Sequence, residues 1–283
     1  MSKKYPSLSP TLIERYLTHL REAERSSHTI SKYAHDLTTF LNYLNGKPLT
    51  KANLIEWKST LVASFMPTTV NSMLIAVNGY LSFMGWQNLK VNLLKIQKSI
   101  FTDESRELSH DEYIRLVNAA KIQENERLAL VIQTICATGI RVSELRFITV
   151  EAVNLGRAEI SNKGKRRIVF LPNGLRKLLT VYLRKQGKTS GAVFTTRTGR
   201  PLDRSNIWRD MKALCQSAGV DPEKVFPHNL RHLFARTFYS VDHDLSRLAD
   251  ILGHSNIATT RIYTAECGNV HAQQIEKLGL IIT

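Results

Sequence analysis

Through roughly the first ninety residues, apolar side chains return every three or four positions, the period that lines one face of an α-helix. Leu12, Ile13, Tyr16, Leu17 and Leu20 form one such stripe; Ile30, Tyr33, Leu37, Phe40, Leu41 and Leu44 form the next. The second helix opens behind Ser27 or Thr29 as an N-cap and stops at Asn45-Gly46, with Pro48 beyond. Leu54, Trp57 and Leu61 predict a third helix. Pro67 opens a fourth, striped by Val70, Met73, Leu74, Val77, Tyr80 and Met84. Such stripes are core positions, not ligand contacts. The period then fades: residues 87–106 carry three lysines and no helical repeat, and read as an extended, basic linker.

A second periodic region begins near Leu108, where Ser109 caps a helix over about 109–121, followed by another over about 124–138. The string AEIS, the turn NKGK and then RRIVFLP alternate around Ile168 and Phe170 with a glycine between them, a hairpin signal. Helical patterns resume at about 173–186, 204–218, 228–240, 244–252 and 256–265. The expected architecture is mostly α: a small all-helical domain of four helices over 1–88, a linker over 89–106, and a larger, mainly helical domain over 107–283 with one small antiparallel β-sheet.

Composition agrees with two domains, since 283 residues at roughly 150 per domain give about that number. The charge changes the picture more. The chain has 39 Lys and Arg against 24 Asp and Glu, a formal net charge of +15. Residues 1–100 hold 12 of these basic and 5 of these acidic groups, and residues 101–283 hold 27 and 19. Both parts are basic, so a polyanionic partner is the first to test. No apolar run approaches the roughly 20 residues that span a bilayer, and MSKKYPSLSP lacks the apolar core of a secretory signal. Cys136, Cys215 and Cys267 are odd in number with no CxxC. A reduced, cytoplasmic protein without a disulfide framework or a cysteine-based zinc site is expected.

Four strings of the second domain carry chemistry. ATGIRVSEL holds Arg141 and Glu144, the hairpin turn holds Lys163, PHNLRHLFA holds His228 and Arg231, and LGHSNIATTRIYT holds His254 and Tyr263. His228 and Arg231 are three apart and share a helical face. Gly253 suits the end of one helix and Ser255 or Asn256 the cap of the next. Tyr263 falls two turns into that next helix, where a Tyr is normally core; Ile262 can fill that role instead, which leaves Tyr263 turned toward a site. Arginines clamp phosphate oxygens and neutralise the charge gained in a pentavalent transition state. A lysine on a turn delivers a proton to a leaving alkoxide, histidines serve as acid or base, and a phenol can act as a covalent nucleophile. His228 and His232 are four apart, but position 229 is Asn rather than the Glu of a zinc-protease helix. The sequence shows no carboxylate cluster of a metal nuclease. The set suits phosphoryl transfer through a phosphotyrosine, with no metal and no cofactor.

These strings, in this order, resemble the boxes of the tyrosine recombinase family, the phage-integrase-like site-specific recombinases. ATGIRVSEL is similar to the first-arginine box and NKGKRRIVFLP to the lysine hairpin. PHNLRHLFA is similar to the His-x-x-Arg box and LGHSNIATTRIYT to the box that ends in the nucleophilic tyrosine. The spacings are family-like: three residues from His228 to Arg231, 23 more to His254 and nine more to Tyr263. SSHTISKYAHDLTTFLNYL and PTTVNSMLIAVNGYLSFM resemble the second and fourth helices of the family's core-binding (SAM-like) domain, so the likeness covers nearly the whole chain.

The resemblance implies two domains clamped around duplex DNA. Tyr263 is then the nucleophile, forming a 3′-phosphotyrosyl link. Arg141, Arg231 and His254 hold the nonbridging oxygens, Lys163 protonates the departing 5′-oxygen, and His228 assists proton transfer at Tyr263. Lys165 remains the alternative to Lys163. Lys165, Arg166 and Arg167 are expected to contact DNA, while Glu144 supports its own turn or an arginine. The expected partners are double-stranded DNA with a specific recombination site, a homotetramer on two such sites, and accessory DNA-binding proteins, with no membrane; the protein is expected in a bacterial-type cytoplasm, at the nucleoid when bound to DNA. HAQQIEKLGLIIT, with Ile275, Leu278, Leu280 and Ile281, is the expected C-terminal exchange helix. No arm-binding domain and no integron-type insertion is expected. The remaining subtypes are dimer resolvases, transposon cointegrate resolvases and inversion switches, with a resolvase or related mobile-element recombinase favoured. A type IB topoisomerase-like enzyme and a binding-only regulator on the same scaffold are the competing readings.

Overall fold

A computed structural model of the chain describes residues 8–96, 104–162, 165–196, 198–254, 256–263 and 277. The chain divides into two compact units, 1–98 and 99–283.

The first unit is four helices: α1 (Pro10–Glu22), α2 (Ser27–Leu44), α3 (Lys51–Ser64) and α4 (Pro67–Phe83). The predicted stripes form its core, with Leu37, Leu54, Leu74, Val77 and Tyr80 fully buried, each aliphatic side chain contributing roughly 1.5 to 3 kcal/mol. Phe40 and Trp57 pack with ring centroids 4.5 Å apart. The cap of α2 is Ser26, not Ser27 or Thr29: its hydroxyl accepts from the Thr29 amide, and Ser27 and Thr29 already lie in the helix.

The stretch read as a linker is, in its first half, a packed strap of this unit. After a 3-10 turn at Gln87–Leu89 it runs extended, burying Leu89 and Val91 in the helical core. Its backbone is held by side chains. Asn78 Nδ2 donates to Val91 O (2.8 Å) while its Oδ1 accepts from Val91 N (3.1 Å). Asn71 does the same with Leu94, at 2.9 and 2.7 Å. Lys58 donates to Asn92 O and Lys51 to Lys90 O. These amide and ammonium groups replace the partner strand that an isolated extended segment lacks.

The second unit is built around α6 (Glu126–Thr138), which follows α5 (His110–Ile122). Leu128–Val131, Ile132, Thr134, Ile135 and Thr138 of α6 are all buried, the mark of a helix enclosed on every side. Two buried threonine hydroxyls there donate back to the carbonyls of Leu130 and Thr134. A short helix α7 (Val150–Leu155) leads into β1 (Arg157–Asn162) and β2 (Lys165–Phe170), antiparallel with Arg157 opposite Phe170 and Asn162 opposite Lys165. Then come α8 (Asn173–Lys185), α9 (Arg204–Ala213), α10 (Cys215–Ala218), α11 (Pro227–Asp242), α12 (Leu245–Leu252) and α13 (Ile257–Thr260). The single helix expected over 204–218 is thus two, meeting at Leu214. The mostly helical fold with one two-stranded sheet matches the expectation. No described helix is long and apolar enough to cross a membrane.

Candidate active site

Two glycines in left-handed conformation release the chain toward the site. Gly139 (φ 64°) ends α6, and the chain turns so that Arg141 sits just ahead of a 3-10 turn, Val142–Phe147. Gly253 (φ 67°) ends α12 and delivers His254. Between them runs α11, opened by Pro227 at its first turn. His228, Arg231 and His232 lie at i, i+3 and i+4 along it, one face of the helix.

Arg231 is buried, with 1% of its surface exposed. Its Nη1 donates to Gly139 O (2.6 Å) and its Nη2 to Leu252 O (2.8 Å), so both glycine turns are pinned to one guanidinium. Nη2 also lies 2.9 Å from His254 Nε2. An arginine only donates, so Nε2 accepts, and the proton of His254 is on Nδ1, 2.9 Å from the hydroxyl of buried Thr260. His254 is therefore a neutral imidazole. Its pKa agrees: burial first, then the charges of Arg231, Arg141 and Arg167, lower it to about 4. Burial, then His232 and the nearby arginines, also lower His228 to about 4. Burial and the neighbouring Arg141 bring Arg231 down to about 10, against the pull of the Tyr263 hydroxyl. Among the described residues no carboxylate pairs with Arg231.

Glu144, with 1% exposure, is the carboxylate of the cluster. It accepts from the Arg141 backbone amide (2.8 Å), from Arg141 Nη1 (3.2 Å) and from Arg167 Nη2 (2.6 Å). Arg167 Nη1 reaches Ile251 O (3.2 Å). A Cβ on Gly253 would stand 2.6 Å from Arg167 Cδ, so only glycine lets this side chain pass. Arg167, expected on DNA with Arg166, is instead turned inward, because Glu144 and the end of α12 use its donors. Arg166 is exposed. Lys163 lies outside the described residues. The structure describes the backbone of Lys165, paired with Asn162 at the hairpin's end.

Tyr263 closes the cluster from a 3-10 turn, Arg261–Tyr263. It is 5% exposed while Ile262 is 52% exposed, so Tyr263 and not Ile262 takes the core position. The chain tightens after α13, and at about three residues per turn instead of 3.6 the side chains rotate out of the expected register. The Tyr263 ring packs on Leu248 and Leu252 and stacks on His254, with centroids 5.8 Å apart. It meets the His232 ring edge to face at 4.7 Å, but His228 only at 6.5 Å. Arg141, His228, Arg231, His254 and Tyr263 thus converge. Sequence reasoning passed over His232, Thr260 and the inward role of Arg167; His232 was visible only as a partner of His228 in a zinc pattern.

Because His228 and His254 titrate near 4 when folded and near 6.5 when unfolded, the unfolded chain takes up more protons across that window. Stability then rises with pH between about 4 and 6.5 and falls on acidification. Thermal melts at pH 7 and pH 5 should show a lower midpoint at pH 5, and His228→Gln should flatten the difference.

The profile of the phage integrase family matches residues 106–268, and that of the phage integrase N-terminal SAM-like domain matches residues 13–88. The chain belongs to the phage integrase family and is an enzyme of the tyrosine recombinase class. It is 29% identical to the tyrosine recombinase XerD of Vibrio cholerae, over 91% of this chain and 93% of that protein. It is 26% identical to the tyrosine recombinase XerA of Pyrococcus furiosus, over 97% and 96%. The crystal structure of the XerH site-specific recombinase in a pre-cleavage complex with its difH substrate shares the fold, with a TM-score of 0.72 and 24% identity over 98% of this chain and 85% of that one.

Proposed function

We propose that this enzyme cuts and rejoins double-stranded DNA at a specific site through a 3′-phosphotyrosyl intermediate, as a homotetramer holding two sites. The observation that carries this reading is the buried guanidinium of Arg231, unpaired with any described carboxylate and facing the Tyr263 hydroxyl. A fixed cation of this kind is preorganised for phosphate oxygens. Arg141 is pinned on one edge by Glu144, with its side chain 37% exposed, and supplies a second clamp. His254 stands against Arg231 and orients it on the nonbridging oxygens.

Tyr263 Oη attacks phosphorus as its proton passes to a base, with His228 neutral and able to accept it. The 3′-phosphotyrosyl bond forms, the bond to the 5′-oxygen breaks, and that oxygen leaves as a hydroxyl with a proton from Lys163. The 5′-hydroxyl of the partner strand reverses the step on a new junction. The phosphate bond energy is kept in the tyrosyl ester, so the exchange needs no nucleotide triphosphate. The C-terminal segment with Ile275, Leu278, Leu280 and Ile281, which lie outside the described residues, is the part of the chain assigned to exchange between protomers. An apolar cleft of about 660 Å³ lined by Tyr113, Cys136, Phe234, Phe238, Val241 and Ile251 supports this. The biological setting is resolution, integration or inversion in a mobile element, or dimer resolution.

To test this, duplexes are selected from a random pool by binding and footprinted, and a nicked form of the bound site is incubated with the full chain. A denaturation-resistant protein–DNA adduct is expected, and its absence overturns the reading. On that substrate Lys163→Ala should abolish cleavage and Lys165→Ala should spare it; the opposite result moves the leaving-group acid to Lys165.

A further inference from the structure

The second unit's described chain enters along α11, and three side chains of that helix hold it. Asn229 Nδ2 donates to Arg106 O (2.9 Å), and Arg236 Nη2 donates to Leu108 O (2.7 Å). Between those carbonyls the Glu107 side chain, 15% exposed, turns onto the same helix face. Its Oε1 is 3.4 Å from His232 Nδ1 and its Oε2 is 3.3 Å from Arg236 Nη2. Burial raises the Glu107 pKa, but the His232 hydrogen bond and the charge of Arg236 outweigh it and carry the carboxyl below its ordinary value. A carboxylate accepts, so His232 donates through Nδ1, which fixes both its tautomer and its ring plane.

The anchored ring meets two others. His228 and Tyr263 each stand with their ring centroids 4.7 Å from it, both edge to face, and 6.5 Å from one another. The groups that face His232 are thus Glu107 from the entry segment, His228 from its own helix and Tyr263 from the last described turn, with Arg236 behind Glu107. Tyr263 meets His232 more closely than it meets His228 or His254.

We propose that Glu107 and His232 are a positioning pair for Tyr263, through which the entry segment sets the attitude of the phenol. The proposal rests on Tyr263 being the nucleophile. Glu107 holds His232 by hydrogen bond, and His232 seats the tyrosine ring so that its hydroxyl meets Arg231. A small misplacement of an attacking atom costs rate steeply, without any change in how tightly DNA is held.

The test uses the full chain, the nicked duplex above and 3-fluorotyrosine at position 263. In Glu107→Ala, adduct formation at saturating duplex should fall about tenfold or more, with duplex affinity within about twofold of the parent's. The fluorine resonance of residue 263 should move in the DNA-free protein. Glu107→Gln keeps an acceptor for His232 and should recover most of the rate. His232→Phe keeps a ring but loses the anchor; it should lose rate as Glu107→Ala does, and it stands in should that variant not fold. A folded variant with parental rate and an unmoved resonance overturns the proposal. So does a rate loss that only tracks loss of DNA affinity. If the parent itself forms no adduct, the functional reading fails, and the fluorine shift still decides whether the pair positions residue 263.

Discussion

Tyr263→Phe should bind its DNA site with unchanged affinity and form no covalent adduct. The substitution leaves the ring where it packs, against Leu248, Leu252, His232 and His254. It removes only the oxygen that faces Arg231. Losing that one polar contact should cost about 1 kcal/mol of stability or less. The chemistry should fall by more than about a thousandfold, roughly 4 kcal/mol of barrier, because no other described hydroxyl of the cluster stands beside both Arg231 and the imidazoles. The measurement is adduct formation on the nicked duplex beside an equilibrium binding curve. An adduct with the Phe variant removes Tyr263 from its role.

Glu144→Ala should have the largest effect on stability. One carboxylate with 1% exposure holds two guanidiniums and a backbone amide, and Arg167 carries its influence on to Ile251 at the end of α12. Removing it leaves a half-buried Arg167 with no counter-charge among the described residues, a loss of about 3 kcal/mol and a fall in melting temperature of roughly 10 °C. Glu144→Gln keeps the acceptor oxygen and should fall between the two. A thermal melt followed by circular dichroism reads both. Alanine melting within a degree or so of the parent would mean that the Arg141 and Arg167 turns hold themselves in place.

What was legible in the sequence follows from length and regularity. The helices of the first unit declare themselves through stripes such as Leu37, Phe40 and Leu44, repeated long enough for the period to rise above chance. The hairpin shows through its glycine turn. α7 has only six residues, fewer than two turns, so it offers no period to detect. The break at Leu214 leaves the local pattern helical on both sides and is equally silent. In the site, the boxes announce Arg141, His228, Arg231, His254 and Tyr263, since each sits in a distinctive local string. Arg167 looked like one more basic residue of a basic turn, and only a carboxylate 23 positions away turns it inward. Glu107 and His232 are separated by 125 positions, and no local pattern joins them. The placing of Ile262 and Tyr263 stayed open for a narrower reason: spacing assumes 3.6 residues per turn, and the last turn does not keep to it.

The two asparagines that hold the strap of the first unit are seven positions apart on α4, and the residues they hold, Val91 and Leu94, are three apart. Seven helical residues rise about 10.5 Å, and three extended residues cover about 10 Å. The helix therefore acts as a ruler against which the strap is laid out, with an amide at each graduation. The side chains of residues 92 and 93 do not enter that match, while inserting or deleting one residue there moves the second graduation by more than 3 Å. This short stretch is open to changes of letter and closed to changes of length.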